Sequence, residues 1–296
     1  MQQPTEAGMT DVLRRSRIFG KNGRAIIVAL DHIASGLMRG WEYPEETLEK
    51  ILDECPDAIL ANFGILKRFG HLLSEQVSTI LRLDGGPTDL VESWPHLSDW
   101  KALYTVKDAL NLGVDGVMAT LYVGSHLEVV SMEIVAKVAS ECLGYEIPCA
   151  FHAVPVEGPA IKNIYDPDII SFAARLAAEL GADFVNTYYP RDPTNLRLVT
   201  SRCPVPVLIS GGAKLESEYE LFKIVTGMLA GGGSGLFIGR NVWQHRNPPL
   251  ILKSLKRIIH QNATIDEVLE DFLTAPRAQT KNRRKSVQSQ GFTSSP

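Results

Sequence analysis

Two short segments of the sequence have the residue types that bind phosphate. Ser210-Gly211-Gly212 ends one apolar run, and Gly239-Arg240 ends the next. Glycine has no Cβ, so backbone N–H groups can approach an anion, and a helix that begins just afterwards adds positive potential. Arg240 adds a full charge. A Gly-Gly pair can also be no more than a tight turn, but two such ends on neighbouring strands favour a phosphate-binding site.

Other runs carry side chains that can move a proton. Asp31 and His32 follow the first run, and either can act as a general acid or base. His152 lies inside another run, where alternation places it on the same face as Val154. An Asp-His pair also commonly forms a turn, and His152 can equally be a buried imidazole with satisfied hydrogen bonds. The roles of these residues therefore stay open.

Asn186 stands in the middle of an apolar run, DFVNTYYP, with Tyr188 on the same face. An amide buried among apolar side chains costs free energy unless it is hydrogen-bonded. Asn186 therefore needs a polar partner or a ligand, and we expect both side chains to face a binding site.

Eight apolar runs of strand length alternate with amphipathic segments between residues 25 and 260, as in a parallel sheet covered by helices. Their near-even spacing, and the lack of a G-x-G-x-x-G motif after the first run, favour a closed barrel over an open sheet. The sequence predicts an α/β fold, a single-domain (β/α)8 TIM barrel with its site at the C-terminal ends of the strands. The predicted strands are 25–32, 58–65, 78–86, 116–124, 148–156, 183–190, 205–212 and 235–240.

Several helix ends are also marked in the sequence. Asp166 and Pro167 predict a helix start, and Gly181 predicts its end. Ser125 and Gly144 bracket a second helix in the same way. Two further helices are predicted over 214–230 and 248–260.

The chain divides into a large body and two short ends. Residues 25–273 are predicted to form the barrel, with an N-terminal helical segment over 1–24 packed across its bottom. Residues 274–296 contain five Lys or Arg residues, no acidic residue and few apolar ones, which predicts a disordered basic tail.

Composition excludes several classes of protein. The sequence is 45% hydrophobic and 22% charged with a net charge of −4, as in ordinary globular proteins. Because the basic charge of the tail hides a more acidic body, nucleic acid is not an expected partner. No apolar stretch has the length of a membrane span, and four widely spaced cysteines indicate reduced, mostly buried thiols. We expect a cytoplasmic protein that binds no membrane.

Five segments together resemble the class I aldolase family that includes archaeal fructose-bisphosphate aldolase and the enzyme that processes phosphorylated autoinducer-2 breakdown products. Each segment is loosely defined by itself, but their joint order along the chain is specific. The segments are VALDH (28–32), VMATLYVGS (117–125), GADFVNTYYPRD (181–192), CPVPVLISGGAKL (203–215) and GLFIGRNVWQH (235–245).

The resemblance implies a sugar-phosphate-binding barrel that forms homo-oligomers, with a sixth-strand lysine that makes a Schiff base to the substrate. Asn186 occupies that lysine position, and an amide nitrogen cannot form an imine. Val154 replaces a tyrosine of the fructose-bisphosphate branch. Asp31, His32 and the phosphate-binding residues match the family.

We therefore expect an aldolase-type lyase that acts on a small phosphorylated keto or sugar compound without an imine, a cofactor or a metal. Asn186 and Tyr188 would bind the carbonyl or enolate oxygen, while Asp31, His32 or His152 moves a proton.

Three alternatives remain open at this point. Lys67 or Lys214 could supply a relocated Schiff base, although Lys214 more simply contacts phosphate. The chain could be an inactive aldolase-like protein that binds a sugar phosphate, or an acyl transferase or isomerase of the autoinducer-2 branch.

Overall fold

Eight parallel strands close into a barrel in the computed structural model, which describes residues 9–73, 76–88, 90 and 99–274. The predicted TIM barrel is confirmed, because all eight predicted runs contribute a strand. Around the barrel the order is β1, β10, β9, β8, β7, β6, β3 and β2. These strands are β1 (Ala25–Leu30), β2 (Ala58–Ala61), β3 (Ser78–Arg82), β6 (Gly116–Val123), β7 (Cys149–Pro155), β8 (Phe184–Thr187), β9 (Val207–Ser210) and β10 (Gly235–Ile238). A small antiparallel pair, β4 (Asp84–Gly85) with β5 (Lys101–Ala102), follows β3.

Helices follow the barrel strands, and most lie between one strand and the next. The helices are α1 (Met9–Ile18), α2 (Pro44–Leu52), α3 (Phe63–Leu73), α4 (Val106–Leu112), α5 (Glu128–Tyr145), α6 (Pro167–Glu179), α7 (Pro193–Arg202), α8 (Glu218–Ala230), α9 (Arg240–Trp243), α10 (Pro248–Gln261) and α11 (Ile265–Thr274). A 3-10 helix over His32–Ser35 comes directly after β1.

The inner face of the barrel changes from apolar to polar along the strands. Ile27, Leu60, Ile80 and Phe184 belong to one buried cluster inside the barrel. A second, larger cluster contains the opposite faces of the strands and the helix residues that pack on them. Strand residues alternate between the two clusters because successive side chains point to opposite faces. The apolar interior thus supports the side chains at the C-terminal ends of the strands.

Helix α1 lies at the N-terminal end of the barrel. Its last residue, Ile18, is fully buried in the inner cluster, and the Phe19 ring packs edge-on against Phe184 at 5.2 Å. Arg17 pairs with Asp115, which precedes β6, over 3.1 Å. The bottom of the barrel is therefore closed by apolar side chains. The predicted basic tail falls almost entirely outside the described residues.

Some helix ends differ from the sequence predictions. Helix α6 begins at Pro167 with Asp166 as its N-cap, as predicted. Helix α5 begins later than Ser125 predicted, because the Ser125 hydroxyl accepts from the backbone N–H of Leu127 in the turn before the helix. It also continues through Gly144, and Glu146 takes the left-handed conformation that ends it.

The described cysteines form no disulfide, and three of the four are buried, as predicted. Among the helices of the described residues, none combines the length and the apolar character that a membrane crossing requires.

Candidate functional site

A cavity of about 570 Å³ opens at the C-terminal ends of the barrel strands. Ten of the residues that the sequence indicated for catalysis or phosphate binding line it, although they lie on or directly after five different strands. These residues are Asp31, His32, His152, Asn186, Tyr188, Ser210, Gly211, Gly212, Gly239 and Arg240. The parallel arrangement explains this convergence, since the C-terminal ends of all barrel strands meet at one face.

The glycines after β9 and β10 are required by close packing. A Cβ on Gly239 would lie 2.8 Å from the Ala29 carbonyl oxygen, and one on Gly211 would lie 2.8 Å from the Ile238 side chain. Gly212 has a φ of +67°, in the left-handed region that favours glycine. The backbone of both segments can therefore approach the cavity in a way that no larger residue allows.

Asn241 fixes these two segments to each other. Its side-chain nitrogen donates to the carbonyl oxygens of Gly211 and Ala213 at 2.8 and 2.9 Å, and its side-chain oxygen accepts from the backbone N–H of Leu215 at 2.8 Å. The buried amide thus orients the loop after β9 next to Arg240. Sequence reasoning did not assign this role.

Arg240 and His32 each hold a buried polar atom without a partner. Within the described part of the chain, Arg240 Nε and His32 Nδ1 are the buried side-chain polar atoms that form no hydrogen bond. His32 Nδ1 lies 3.3 Å from Asp31 Oδ1, but the pair does not align as a hydrogen bond. Both residues line the cavity, and buried polar groups are otherwise nearly always satisfied. A polar ligand at this end would supply the missing partners.

Helix dipoles contribute less to this end than the sequence predicted. Helix α8 begins at Glu218 rather than near residue 214, and the hydroxyl of its N-cap, Ser217, accepts from the backbone N–H of Glu220. Helix α9 after Gly239 has only four residues. Because the dipole grows with aligned peptide units, positive potential here comes mainly from the Arg240 guanidinium.

Three side chains in the cavity wall are connected through one hydroxyl group. The Ser210 hydroxyl donates to Asn186 Oδ1 at 3.0 Å and lies 3.2 Å from His152 Nε2. If the single hydroxyl proton goes to Asn186, Nε2 of His152 carries the other proton and donates to Ser210. Asn186 is almost completely buried, and its side-chain nitrogen remains available for a ligand. Ser210 is therefore a polar partner of Asn186, as the sequence predicted.

Burial sets the protonation of the imidazoles. It lowers the pKa of His152 to about 3, with a further lowering by the Arg82 charge, so that His152 is neutral near pH 7. Burial also lowers the pKa of His32, and the nearby Arg240 and Arg82 act in the same direction against Asp31. Both rings are thus neutral hydrogen-bonding groups.

Tyr188 lies at the side of the cavity with its ring edge-on to His152. Burial raises the pKa of its hydroxyl, so Tyr188 is a neutral donor. Tyr165 packs against it at 5.9 Å between ring centroids, and the Arg191 guanidinium covers the Tyr165 ring at 3.9 Å. These aromatic contacts hold the Tyr188 hydroxyl in place.

Arg82 is the main site residue that sequence reasoning missed. It stands at the end of β3, lines the cavity, and pairs with Asp31 over 3.0 Å. It also pairs with Asp84 and contacts the Thr120 hydroxyl. Asp84 in turn accepts from the Trp100 indole N–H at 2.8 Å. Arg82 therefore anchors Asp31, and it links β1, β3 and β6 at the base of the polar layer.

A signal for Arg82 was present in the sequence. Ile80 belongs to the inner cluster, so period two places Arg82 and Asp84 on the same face. The same alternation places Thr120 on the inner face together with Met118. A charged residue on an inner face, followed two positions later by its counter-ion, identifies a buried pair.

Neither candidate for a relocated Schiff base lies among the cavity residues. Lys67 is exposed on α3. Lys214 is also exposed, and its amine donates to the Leu215 carbonyl oxygen. Among the described residues that line the cavity, none is a lysine.

A closed barrel with polar side chains and glycine-rich turns at the C-terminal ends of its strands has the architecture of (β/α)8-barrel enzymes. The model of the DeoC/LacD family aldolases matches residues 25–245. The chain belongs to that family, which places it in the lyase class.

Several relatives are similar over nearly their full length. An uncharacterized aldolase of Saccharolobus solfataricus is 31% identical over 87% of this chain and 97% of the relative. A class 1 fructose-bisphosphate aldolase of Halobacterium salinarum is 31% identical over 84% of this chain and 95% of the relative. A solved archaeal fructose-1,6-bisphosphate aldolase, with its catalytic lysine covalently bound to the carbinolamine intermediate, is 30% identical, covers 84% of this chain and 99% of its own, and has a TM-score of 0.76.

Proposed function

We propose that the protein cleaves a small phosphorylated keto or sugar compound by a retro-aldol reaction that involves no imine. The observation that carries this proposal is the pair of buried atoms that form no hydrogen bond, Arg240 Nε and His32 Nδ1, in a cavity whose described wall has Asn186 and no lysine. The kinship with fructose-bisphosphate aldolases supports the substrate class. The substrate phosphate would bind Arg240 and the backbone of Ser210, Gly211, Gly212 and Gly239.

The reaction needs a base and a site for the developing charge. A base takes the proton of the hydroxyl on the carbon β to the carbonyl, and the O–H electron pair forms a new carbonyl bond. The bond between the α and β carbons breaks, and its electrons pass to the substrate carbonyl oxygen as an enolate. The enolate carbon is then protonated. Without an iminium ion, the enolate oxygen must be stabilised by hydrogen bonds.

Asn186 and Tyr188 would supply those hydrogen bonds. The Asn186 oxygen is held by Ser210, which leaves the amide N–H groups to donate to the enolate oxygen. The Tyr188 hydroxyl is a neutral donor in the same wall. Asp31 and His32 are better placed than His152 to move the proton, because burial makes the His152 imidazole a very weak base.

A trapping experiment tests the absence of an imine. Purified protein is incubated with dihydroxyacetone phosphate and borohydride, and its mass is measured. We expect no covalent adduct in the natural protein or in Lys214→Met. A trapped adduct that maps to Lys67 or Lys214 would contradict the proposal.

Turnover separates an active lyase from an inactive sugar-phosphate-binding barrel. Release of triose phosphate from keto-sugar phosphates is followed for the natural protein, Asn186→Ala and Asn186→Lys. We expect turnover in the natural protein and a loss of about 100-fold or more in Asn186→Ala, as for removal of one oxyanion donor. No turnover in the natural protein, with cleavage gained by Asn186→Lys, would favour the inactive barrel.

A further inference from the structure

Two guanidinium groups line the cavity, and their surroundings differ. Arg82 lies between two carboxylates, with Asp31 at 3.0 Å and Asp84 in contact with Nε. Burial opposes the charge of Arg82, but Asp84 and Asp31 outweigh it and raise the pKa of the guanidinium. The positive charge of Arg82 is therefore compensated by two carboxylates. Arg82 is not free to bind a phosphate group of the substrate.

Arg240 has no such compensation. It makes no ion pair within the described residues, and its buried Nε has no hydrogen-bond partner there. It is close enough to His32 to lower the pKa of that imidazole. The cavity therefore contains one uncompensated guanidinium, judged over the residues that the structure describes.

The other polar residues of the described cavity wall are neutral or acidic. His152 and Asn186 are joined through Ser210 and carry no charge near neutral pH. Glu157 lies in the cavity wall and is exposed to solvent. The uncharged hydroxyl groups of a sugar substrate can hydrogen-bond to these side chains. A second phosphate group of the substrate would instead lie near carboxylates of the cavity wall.

We infer that the substrate carries one phosphate group, bound at Arg240, and an uncharged hydroxylated end near Asp31 and His152. This substrate class is a keto-sugar monophosphate. A bisphosphate binds less well, because its second phosphate lies near the carboxylates of Asp31 or Glu157 in the cavity wall, and juxtaposed like charges cost binding free energy. The inference deepens the proposed function and rests on it for the placement of the phosphate.

Arg191 is a cation on the Tyr188 side of the cavity that could contradict this assignment. Its guanidinium stacks on Tyr165, which separates it from the Tyr188 side of the cavity. If a second phosphate displaced Arg191 from that ring, a bisphosphate would gain an ion pair. The variant Arg191→Met removes this charge and leaves Arg82 and Arg240 untouched.

Calorimetric titration of the full chain tests the inference. The ligands are fructose 1-phosphate, fructose 6-phosphate, fructose 1,6-bisphosphate and fructose. We expect at least one monophosphate to bind about tenfold or more tightly than the bisphosphate, and fructose to bind most weakly. Glu157→Gln should raise the bisphosphate affinity more than the monophosphate affinity, and Glu133→Gln on α5 serves as the matched control.

Tighter binding of the bisphosphate would overturn the inference, and loss of that advantage in Arg191→Met would identify the second site. Equal binding of all four ligands, or no binding of any, would also overturn it. The proposed function fails separately: a monophosphate that binds selectively and is never cleaved contradicts the lyase reaction and leaves the one-phosphate site standing.

Discussion

The Ser210 hydroxyl and the Asn186 side-chain oxygen lie 3.0 Å apart, so Asn186 is held by a residue of the neighbouring strand. The register aligns Asn186 with Leu208 on β9, two residues before Ser210. His152 on β7 is directly aligned with Asn186 and also reaches Ser210. One hydroxyl therefore fixes two candidate site residues on two strands.

Removal of that hydroxyl should destabilise the protein. Ser210→Ala leaves the Asn186 oxygen and His152 Nε2 without their shared partner. We expect a loss of about 1–3 kcal/mol in the free energy of unfolding, because unsatisfied buried polar groups keep their desolvation cost. Urea denaturation measures the change. Ser201→Ala, at an exposed serine on α7, should change stability by less than about 0.5 kcal/mol. Equal effects of the two variants would show that the network contributes nothing.

Protonation of His152 should weaken the fold in acid. Its folded-state pKa of about 3 lies below the unfolded value near 6.5, so the unfolded chain binds the extra proton first. Stability is therefore full above about pH 6.5 and falls as the pH decreases toward 3, by at most about 1.4 kcal/mol per pH unit for one proton. His152→Asn should reduce this slope in urea melts between pH 7 and 4.5. His126→Gln, at an exposed histidine, should leave the slope unchanged, and an unchanged slope in His152→Asn would refute this assignment.

The barrel was predictable because its pattern is repeated eight times. The apolar runs are short and are separated by amphipathic segments, so the fold prediction does not depend on any single run. Strand ends were less predictable. His32 was placed in the first run but belongs to a 3-10 helix, because local turn geometry decides where extended backbone stops.

The lining of the candidate cavity was predictable where residue type alone indicates chemistry, as for Asn186 and the glycines after β9 and β10. It was not predictable where partners lie far apart in the sequence. The Arg82 pairing with Asp31 joins β3 to β1 across 51 positions. Asn241 binds the carbonyl oxygen of Gly211 thirty positions earlier, and no spacing rule indicates that contact.

A side chain at position 239 should disturb the proposed phosphate site. The Cβ of Gly239→Ala would lie 2.8 Å from the Ala29 carbonyl oxygen and 2.9 Å from His32 Cε1, so the turn that carries Arg240 must shift. We expect phosphate affinity to fall about tenfold or more, since a displaced guanidinium loses its charge-assisted hydrogen bonds. Inorganic phosphate titration measures this loss. Gly144→Ala, in α5 with open space around the added Cβ, should bind phosphate normally and be about 0.5–1 kcal/mol more stable. Normal phosphate binding by Gly239→Ala would place the anion elsewhere.

Removal of the Arg82 charge should be more damaging than any surface ion-pair change. Arg82→Met leaves the carboxylates of Asp31 and Asp84 together without their cation at the base of the polar layer. We expect a loss of about 3–5 kcal/mol of unfolding free energy, because the buried partners keep their desolvation cost without the compensating attraction. Chemical denaturation at pH 7 measures this loss of unfolding free energy. Arg175→Met is the control, because the ion pair of Arg175 with Glu179 is exposed and should contribute less than about 1 kcal/mol. Acid protonates the two carboxylates that have lost their cation. The difference in unfolding free energy between Arg82→Met and the natural protein should therefore shrink as the pH falls toward 4. A deficit that is small, or that stays constant with pH, would mean that solvent rather than Arg82 stabilises the two carboxylates.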